Sequence, residues 1–393
     1  MAFHKIINDP VYGFISIDDE LINDIISHPF FQRLRRIQQM ALAHLVYPGA
    51  VHSRLHHALG AYHLMRCALH ELIIKGVEIT SEEQQAAKIA ILLHDAGHGP
   101  FSHALEHVLT KGMHHEDISI LIIKKLNEEF NGKLKTAIEI FTGNYHKKFL
   151  HQLVSGQLDV DRLDYLTRDS FFTGVNEGVI AYDRILKMLT VHNGELMVEE
   201  KGIHSIEKFL LARRLMFLQV YLHKTVLSSE QMLQRIIKRA REISAECYGP
   251  LNNFINNKEE NITLEMFCNI DDVDVMMAIK LWQNHPDKVL SILCSGIIKR
   301  KLFKVIYSNS PEYSDELKIQ RQRIIKTYNL SDKEAEWLAF TGEAVSSTYN
   351  FEYEPIHIIF KDGTIKEISE VDNALINENL KDKIKKYYIC YLR

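Results

Sequence analysis

Apolar residues recur at helical spacing through most of the first 245 positions. ISIDDELINDIISHPFFQRLRRIQQM shows this spacing with Pro29 as a break, and YPGAVHSRLHHALGAYHLMRCAL turns at Pro48-Gly49 before continuing as a helix. TSEEQQAAKIAILLHD opens with a capping box, Thr80 and Ser81 standing three residues ahead of Glu83 and Gln84. Its apolar face is Ala86, Ile89, Ala90, Leu92 and Leu93, and it runs into HDAGHGPFSHALEH, where two glycines and a proline stop the helix at a polar cluster. HHEDISILIIKKL predicts a further helix with acids in its first turn, and HSIEKFLLARRLMFLQVYLHKTVLSSEQMLQRIIKRA predicts one long helix. Strand signals are few: LTVHNGELMV and IHIIFKDGTIKEI read as hairpins turning at Asn193-Gly194 and Asp362-Gly363, and KKYYICYLR as an added strand. Beyond about residue 245, Asn and Asp become frequent and shorter helices such as DDVDVMMAIKLW alternate with loops. The expected fold is mostly α, a helical domain over 1–245 and a smaller α+β lobe with short hairpins over 246–393, since 393 residues exceed what one core usually serves.

Composition narrows the function classes. A formal net charge of −4 removes whole-chain basicity as an argument for nucleic-acid binding, so any anion site has to be local. No stretch of about 18 apolar residues is present and MAFHKIINDPVYGF lacks a secretory pattern, which predicts a cytoplasmic protein without membrane contact. The five cysteines are scattered and form no CxxC pair, which speaks against thiolate zinc or a disulfide framework. Histidine is the unusual residue, 21 in all and densest from His52 to His115.

That density coincides with the candidate chemistry. His94-Asp95 closes an apolar helix, a rigid platform for a metal half-site. LVSGQLDVDRLDYLTRDSFFTG interleaves Asp159, Asp161, Asp164 and Asp169 with Leu158, Val160, Leu163 and Leu166; acids so placed are half-buried and need a cation or donors, unless they form a solvated face. His57, His94, Asp95 and Asp161 together offer four nitrogen and oxygen ligands, a set suited to manganese, iron, zinc or nickel and less to magnesium. Arg54, Arg162, Arg213 and Lys224 are candidate phosphate partners, and the remaining histidines can move protons at neutral pH. Arg33, Arg35 and Arg36 read either as a solvated helix face or as an anion site. The chemistry suggested is hydrolysis of a phosphate ester or anhydride.

The order His57, His94-Asp95, Asp161 resembles the H…HD…D signature of the HD superfamily of metal-dependent phosphohydrolases. NDPVYG, FQRLRRIQQ, VYPGAVHSRLHHALG, LLHDAGHGPFSHALEH, HHED, DVDRLDYLTRD and ARRLMFLQVYLHK are similar to one branch, the dGTPase-like deoxynucleoside triphosphate triphosphohydrolases. The resemblance implies one divalent transition metal on His57, His94, Asp95 and Asp161, with magnesium accompanying the nucleotide. It implies that His115 with Glu106 is the proton donor and that His98 and His103 lie near the phosphates. It implies phosphate contacts from Arg54, Arg162, Tyr165 and Arg213, sugar selection by Gln39, Asp169 and Tyr221, and the products deoxynucleoside and tripolyphosphate. It further implies a homo-oligomer, tetramer or dimer, with a nucleotide activator held by Lys5, Gln32, Arg35, Lys224, Arg300 and Lys304. Where the branch carries an aspartate that reads an activator guanine, this chain has Ser27.

Two other readings compete. The same ligands suit a nucleoside monophosphate, an alarmone or a cyclic dinucleotide, and the fold could serve as a non-catalytic nucleotide or single-stranded nucleic-acid binder. All four ligands and His115 are present, which weighs against a dead site.

Overall fold

A computed structural model describes residues 3–110, 112–256, 262–308, 310, 314–346, 355–371 and 384–393. Helices dominate, with short strands at the margins, as the periodicity predicts. After a hairpin of β1 (Lys5–Asp9) and β2 (Gly13–Ile17), four helices frame the centre: α1 (Arg54–Ile74), α2 (Ser81–Leu93), α3 (His115–Glu129) and α4 (Val160–Thr173). Helix α1 lies in the middle, packed on both α2 and α4. The buried apolar set runs continuously from Ile15 to Leu392.

Local chemistry accounts for the ends of these helices. The Thr80 hydroxyl accepts from the Glu83 N–H at 3.2 Å and the Glu83 carboxylate accepts from the Thr80 N–H at 2.8 Å, so the predicted capping box forms. Leu92 and Leu93 are fully buried, each contributing about 1.5–3 kcal/mol, and they fix the helix end that delivers His94. Gly60 of α1 lets α4 approach: a Cβ there would stand 2.0 Å from an Asp164 oxygen and 2.1 Å from the Arg168 guanidinium. Gly97 does the same for α3, where a Cβ would meet the His115 carbonyl at 2.0 Å.

The predicted long helix of residues 204–240 is interrupted. It forms α5 (Ile203–Met216), a π-helical turn over Phe217–Tyr221, and α6 (Lys224–Glu242), whose start is capped by the His223 ring accepting from the Thr225 N–H at 3.2 Å. The widened turn aims Tyr221 at α4, where its hydroxyl donates to Asp169 at 2.7 Å. Periodicity alone does not register such a break, because the apolar residues continue through it.

Both predicted hairpins form. β3 (Leu189–His192) and β4 (Glu195–Glu199) turn at Asn193 and Gly194, with φ of 52° and 81°, the left-handed pair that a type I′ turn needs. β5 (Lys304–Ser308) and β6 (Ala339–Ser346) flank β9 (Ile384–Tyr391), the KKYYICYLR strand, in an antiparallel sheet. The second hairpin, β7 (His357–Ile359) with β8 (Ile365–Glu367), joins the first through a parallel β4–β7 pairing. The remaining helices used below are α7 (Asp272–Trp282) and α8 (Lys288–Ile298), which pack together, with α8 also on α6. Among the described residues, no helix is long and apolar enough to cross a membrane.

Candidate active site

Two histidines and two aspartates converge where α1, the end of α2 and the start of α4 meet. His57 Nε2 lies 3.0 Å from Asp161 Oδ1 and 3.3 Å from His94 Nε2; His94 Nε2 lies 3.4 Å from both Asp161 and Asp95. Donors bound to one ion at about 2.1 Å sit roughly 3.0–3.5 Å from each other, so these separations match a shared cation. The tautomers agree. His57 Nδ1–H donates to Asp164 at 2.7 Å and His94 Nδ1–H donates to the Ile91 carbonyl at 2.6 Å, which leaves both Nε2 lone pairs facing the same point beside two carboxylates. Burial opposes charge on His57, yet its hydrogen bonds to Asp161 and Asp164 outweigh that and hold it at about 10. This is a site that demands a positive charge, and the donor set fits a divalent transition metal.

Asp95 plays two parts. One oxygen stands within reach of His94 and His98, while the other is gripped by the buried Arg54 guanidinium. Arg54 is itself held by the Ser102 hydroxyl at 2.6 Å.

Beside this centre sits an imidazole cluster. The rings of His98 and His115 stack at 3.9 Å, and His103 meets His98 edge-on at 4.8 Å. Glu106 Oε1 accepts from both the His115 N–H and His115 Nδ1–H, each at 2.8 Å, which leaves His115 Nε2 for proton transfer. Hydrogen bonds from His103 and His115 outweigh burial and keep Glu106 well below the usual carboxylate range. Burial and the Arg54 charge push His98 well below its ordinary value, so it is neutral at pH 7. Ligating nitrogens of His98, His103 and His115 all lie within 4.8 Å of one another.

A cavity of about 460 Å³ opens next to these groups. Gln39, Arg54, His103, Tyr165, Asp169, Arg213 and Tyr221, all predicted site residues, lie in its wall. Asp169 accepts from Tyr221 and from His52, each at 2.7 Å. The Gln39 side-chain amide oxygen is buried and has no partner among the described residues. Glu230 and Ser102 are further polar residues of the wall, which Met40, Ala43, Val220 and Val226 also line.

Comparison with known proteins agrees with this geometry. The HD domain profile matches residues 54–169 and that of the HD associated region matches 180–335. A crystallised phosphohydrolase from Bacteroides thetaiotaomicron is 48% identical, with 100% of both chains covered and a TM-score of 0.95. YwfO, an uncharacterized protein of Bacillus subtilis, is 32% identical over 94% of this chain and 88% of its own. The chain belongs to the HD-domain family. Human SAMHD1, a deoxynucleoside triphosphate triphosphohydrolase, is 30% identical over 81% of this chain and 57% of its own length.

Some predicted residues of this HD protein do not converge on the cavity. Arg162 folds back onto Asp159, the N-cap of α4, and does not line the cavity wall. A side chain capping its own first turn competes with a ligand for the arginine, and the spacing DVDR carried that signal. Lys5 donates to Asn23, Gln32 to the Ile26 carbonyl, Arg35 to Gln32 and Arg300 to the Leu45 carbonyl, while Lys224 and Lys304 lie over Tyr307 and Tyr391. These six lie on separate elements, all exposed except the half-buried Gln32.

The sequence reading gave no site role to four residues that the fold brings to or beside this centre and cavity: Asp164, which it marked only as an acid needing a cation or donors, and His52, Glu230 and Asp272. Asp164 is fully buried, orients His57 and is neutralised by Arg168 at 3.0 Å. Its acidic, interleaved position is the only sequence signal among the four. Asp164→Asn should weaken metal affinity about 10- to 100-fold, because a carboxylate behind a ligating imidazole fixes its tautomer. Metal titration of the stripped protein measures this, and an unchanged affinity would remove Asp164 from the site.

Proposed function

We propose that the protein is a metal-dependent hydrolase of deoxynucleoside triphosphates, dGTP among them, releasing a deoxynucleoside and tripolyphosphate. The observation that carries this is a single cavity in which Arg54, Arg213 and His103 share a wall with the Gln39, Asp169 and Tyr221 set, beside the His57, His94 and Asp161 cluster, with Asp95 3.4 Å from His94 Nε2. A triphosphate engages several cationic and donor groups at once, whereas a monophosphate leaves most of them without a role. A bound Mn, Fe, Zn or Ni ion on His57, His94, Asp95 and Asp161 would supply a Lewis acid that polarises a phosphoryl oxygen. The chain's own residues do the rest. Arg54 and Arg213 hold phosphate oxygens, His103 donates to them, and His115, oriented by Glu106, gives a proton to the departing 5′-oxygen. Asp169 has lone pairs left to accept from a 3′-hydroxyl, and Gln39 with Tyr221 crowds the 2′ position.

Glu230 extends this reading to the base. Burial pushes its carboxyl up to about 7 with no cationic group offsetting it, which sets it apart from the Arg54 and Arg213 part of the wall. A carboxyl there accepts from an exocyclic amine, which adenine, cytosine and guanine have and thymine lacks. Glu230→Leu is therefore expected to shrink the preference for amino-bearing bases over thymine by about tenfold. Relative kcat/KM values for the four deoxynucleotides measure this; an unchanged ranking removes Glu230 from base recognition.

The assembly is proposed on similar grounds. Val273, Met277 and Leu281 of α7 are 62%, 52% and 44% exposed at i, i+4 and i+8, an apolar stripe suited to a second copy in a dimer or tetramer. We place these contacts in the lobe from residue 246, and propose that assembly gathers Lys5, Gln32, Arg35, Lys224, Arg300 and Lys304 into an activator nucleotide site. A cytoplasmic location fits a nucleotide substrate. Turnover of dGTP, dATP, dTTP, dCTP and GTP, singly and in mixtures, tests the substrate class: the proposal expects deoxynucleotides to be cleaved and GTP to be poor. Equal turnover of GTP and dGTP contradicts it.

A further inference from the structure

Asp272 lies far from the active-site residues in sequence, yet it is buried, 7% exposed, between two walls of the cavity. Its Oδ1 accepts from the Phe101 N–H at 2.7 Å and its Oδ2 from the Gln38 N–H at 2.8 Å. The residues that follow these donors are cavity residues: Gln39 after Gln38, and Ser102 with His103 after Phe101. Phe101 and Ser102 both hold left-handed backbone, φ 50° and 44°, a conformation that is costly outside glycine and persists only when its surroundings fix it. The Gln38 carbonyl also faces the Ser102 hydroxyl at 3.4 Å, and Ser102 in turn anchors Arg54. One carboxylate from α7 thus ties the turn that presents Gln39, just after the Gln38–Ser53 bridge, to the strained turn that presents Ser102 and His103.

We propose that Asp272 is a positioning residue that sets the spacing between Gln39 and the Ser102–His103 turn, and so the sugar selectivity of the cavity. The inference rests on the deoxynucleotide reading above. If Gln39 excludes a 2′-hydroxyl by close packing, releasing its wall relaxes that exclusion, whereas a merely structural role for Asp272 lowers turnover of every nucleotide alike.

The test compares wild type with Asp272→Asn, which turns an amide N–H toward one donor, and with Asp272→Glu, which keeps the charge but displaces it by a methylene. Each is assayed for kcat and KM with dGTP and GTP, for bound metal and for thermal unfolding. Both variants are expected to raise the KM for dGTP and to reduce the dGTP-to-GTP ratio of kcat/KM about tenfold or more, because close-fitting sites discriminate by such factors. Metal content should stay at the wild-type level. Should Asp272→Asn fail to fold, the Asp272→Glu ratio decides alone. An unchanged ratio in a folded, metal-loaded variant overturns the inference while leaving the substrate class standing. A wild type that cleaves no deoxynucleoside triphosphate overturns both.

Discussion

His94→Ala is expected to lose its metal and more than about 10,000-fold in kcat/KM while remaining folded. His94 offers Nε2 to the shared point and gives its Nδ1–H to the Ile91 carbonyl, so its removal takes away one ligand and leaves the buried Arg54–Asp95 pair in place. Asp95 makes a less clean test although it is equally close. Its carboxylate neutralises the buried Arg54, and removing one partner of a buried pair costs about 3–5 kcal/mol. Asp95→Ala should therefore lower stability as well as activity, and His94→Ala separates the two. Elemental analysis with thermal unfolding and kinetics is the check. Wild-type activity in a variant with no bound metal would remove the ion from the chemistry.

The second large effect is expected at His115. His115→Ala should lower kcat about 100- to 10,000-fold with metal content unchanged, the range for loss of a positioned general acid. The geometry behind this is specific: Glu106 takes the Nδ1–H, the neutral His98 ring stacks at 3.9 Å, and Gly97 allows α3 to approach closely enough for that stack. Glu106→Gln should fall in the same direction by a smaller factor, since His115 keeps its place but loses the carboxylate that holds its Nδ1–H. Product formation from a substrate with a better leaving group separates the roles. Such a substrate needs no proton at the departing oxygen, so it should be cleaved almost as fast by His115→Ala as by wild type. An equal loss on both substrates would make His115 a structural residue.

Much of the centre was legible because its signals are local. His94-Asp95 ends a helix whose capping box and apolar face are written within sixteen residues, and Asn193-Gly194 carries its own turn chemistry. What was not legible depends on the fold bringing distant positions together. Asp164 supports His57 across 107 residues, and Asp272 reaches Phe101 across 171 and Gln38 across 234. No period in the sequence encodes such pairings. Glu230 looked like one more polar residue in a long helix, and only the break over Phe217–Tyr221 and the packing of α6 put it in a cavity wall. Arg162 shows the reverse case: its charge suggested phosphate, while its side chain lies on Asp159, an N-cap three residues earlier.

The proposed reaction breaks the bond between the 5′-oxygen and the α-phosphorus of a deoxynucleoside triphosphate, which ¹⁸O-water with phosphorus NMR can follow. Hydrolysis of dGTP by the metal-loaded protein in labelled water should give intact tripolyphosphate with the label on a terminal phosphate, and deoxyguanosine with an unlabelled 5′-hydroxyl. Orthophosphate or pyrophosphate in place of tripolyphosphate, or label in the nucleoside, would contradict the account.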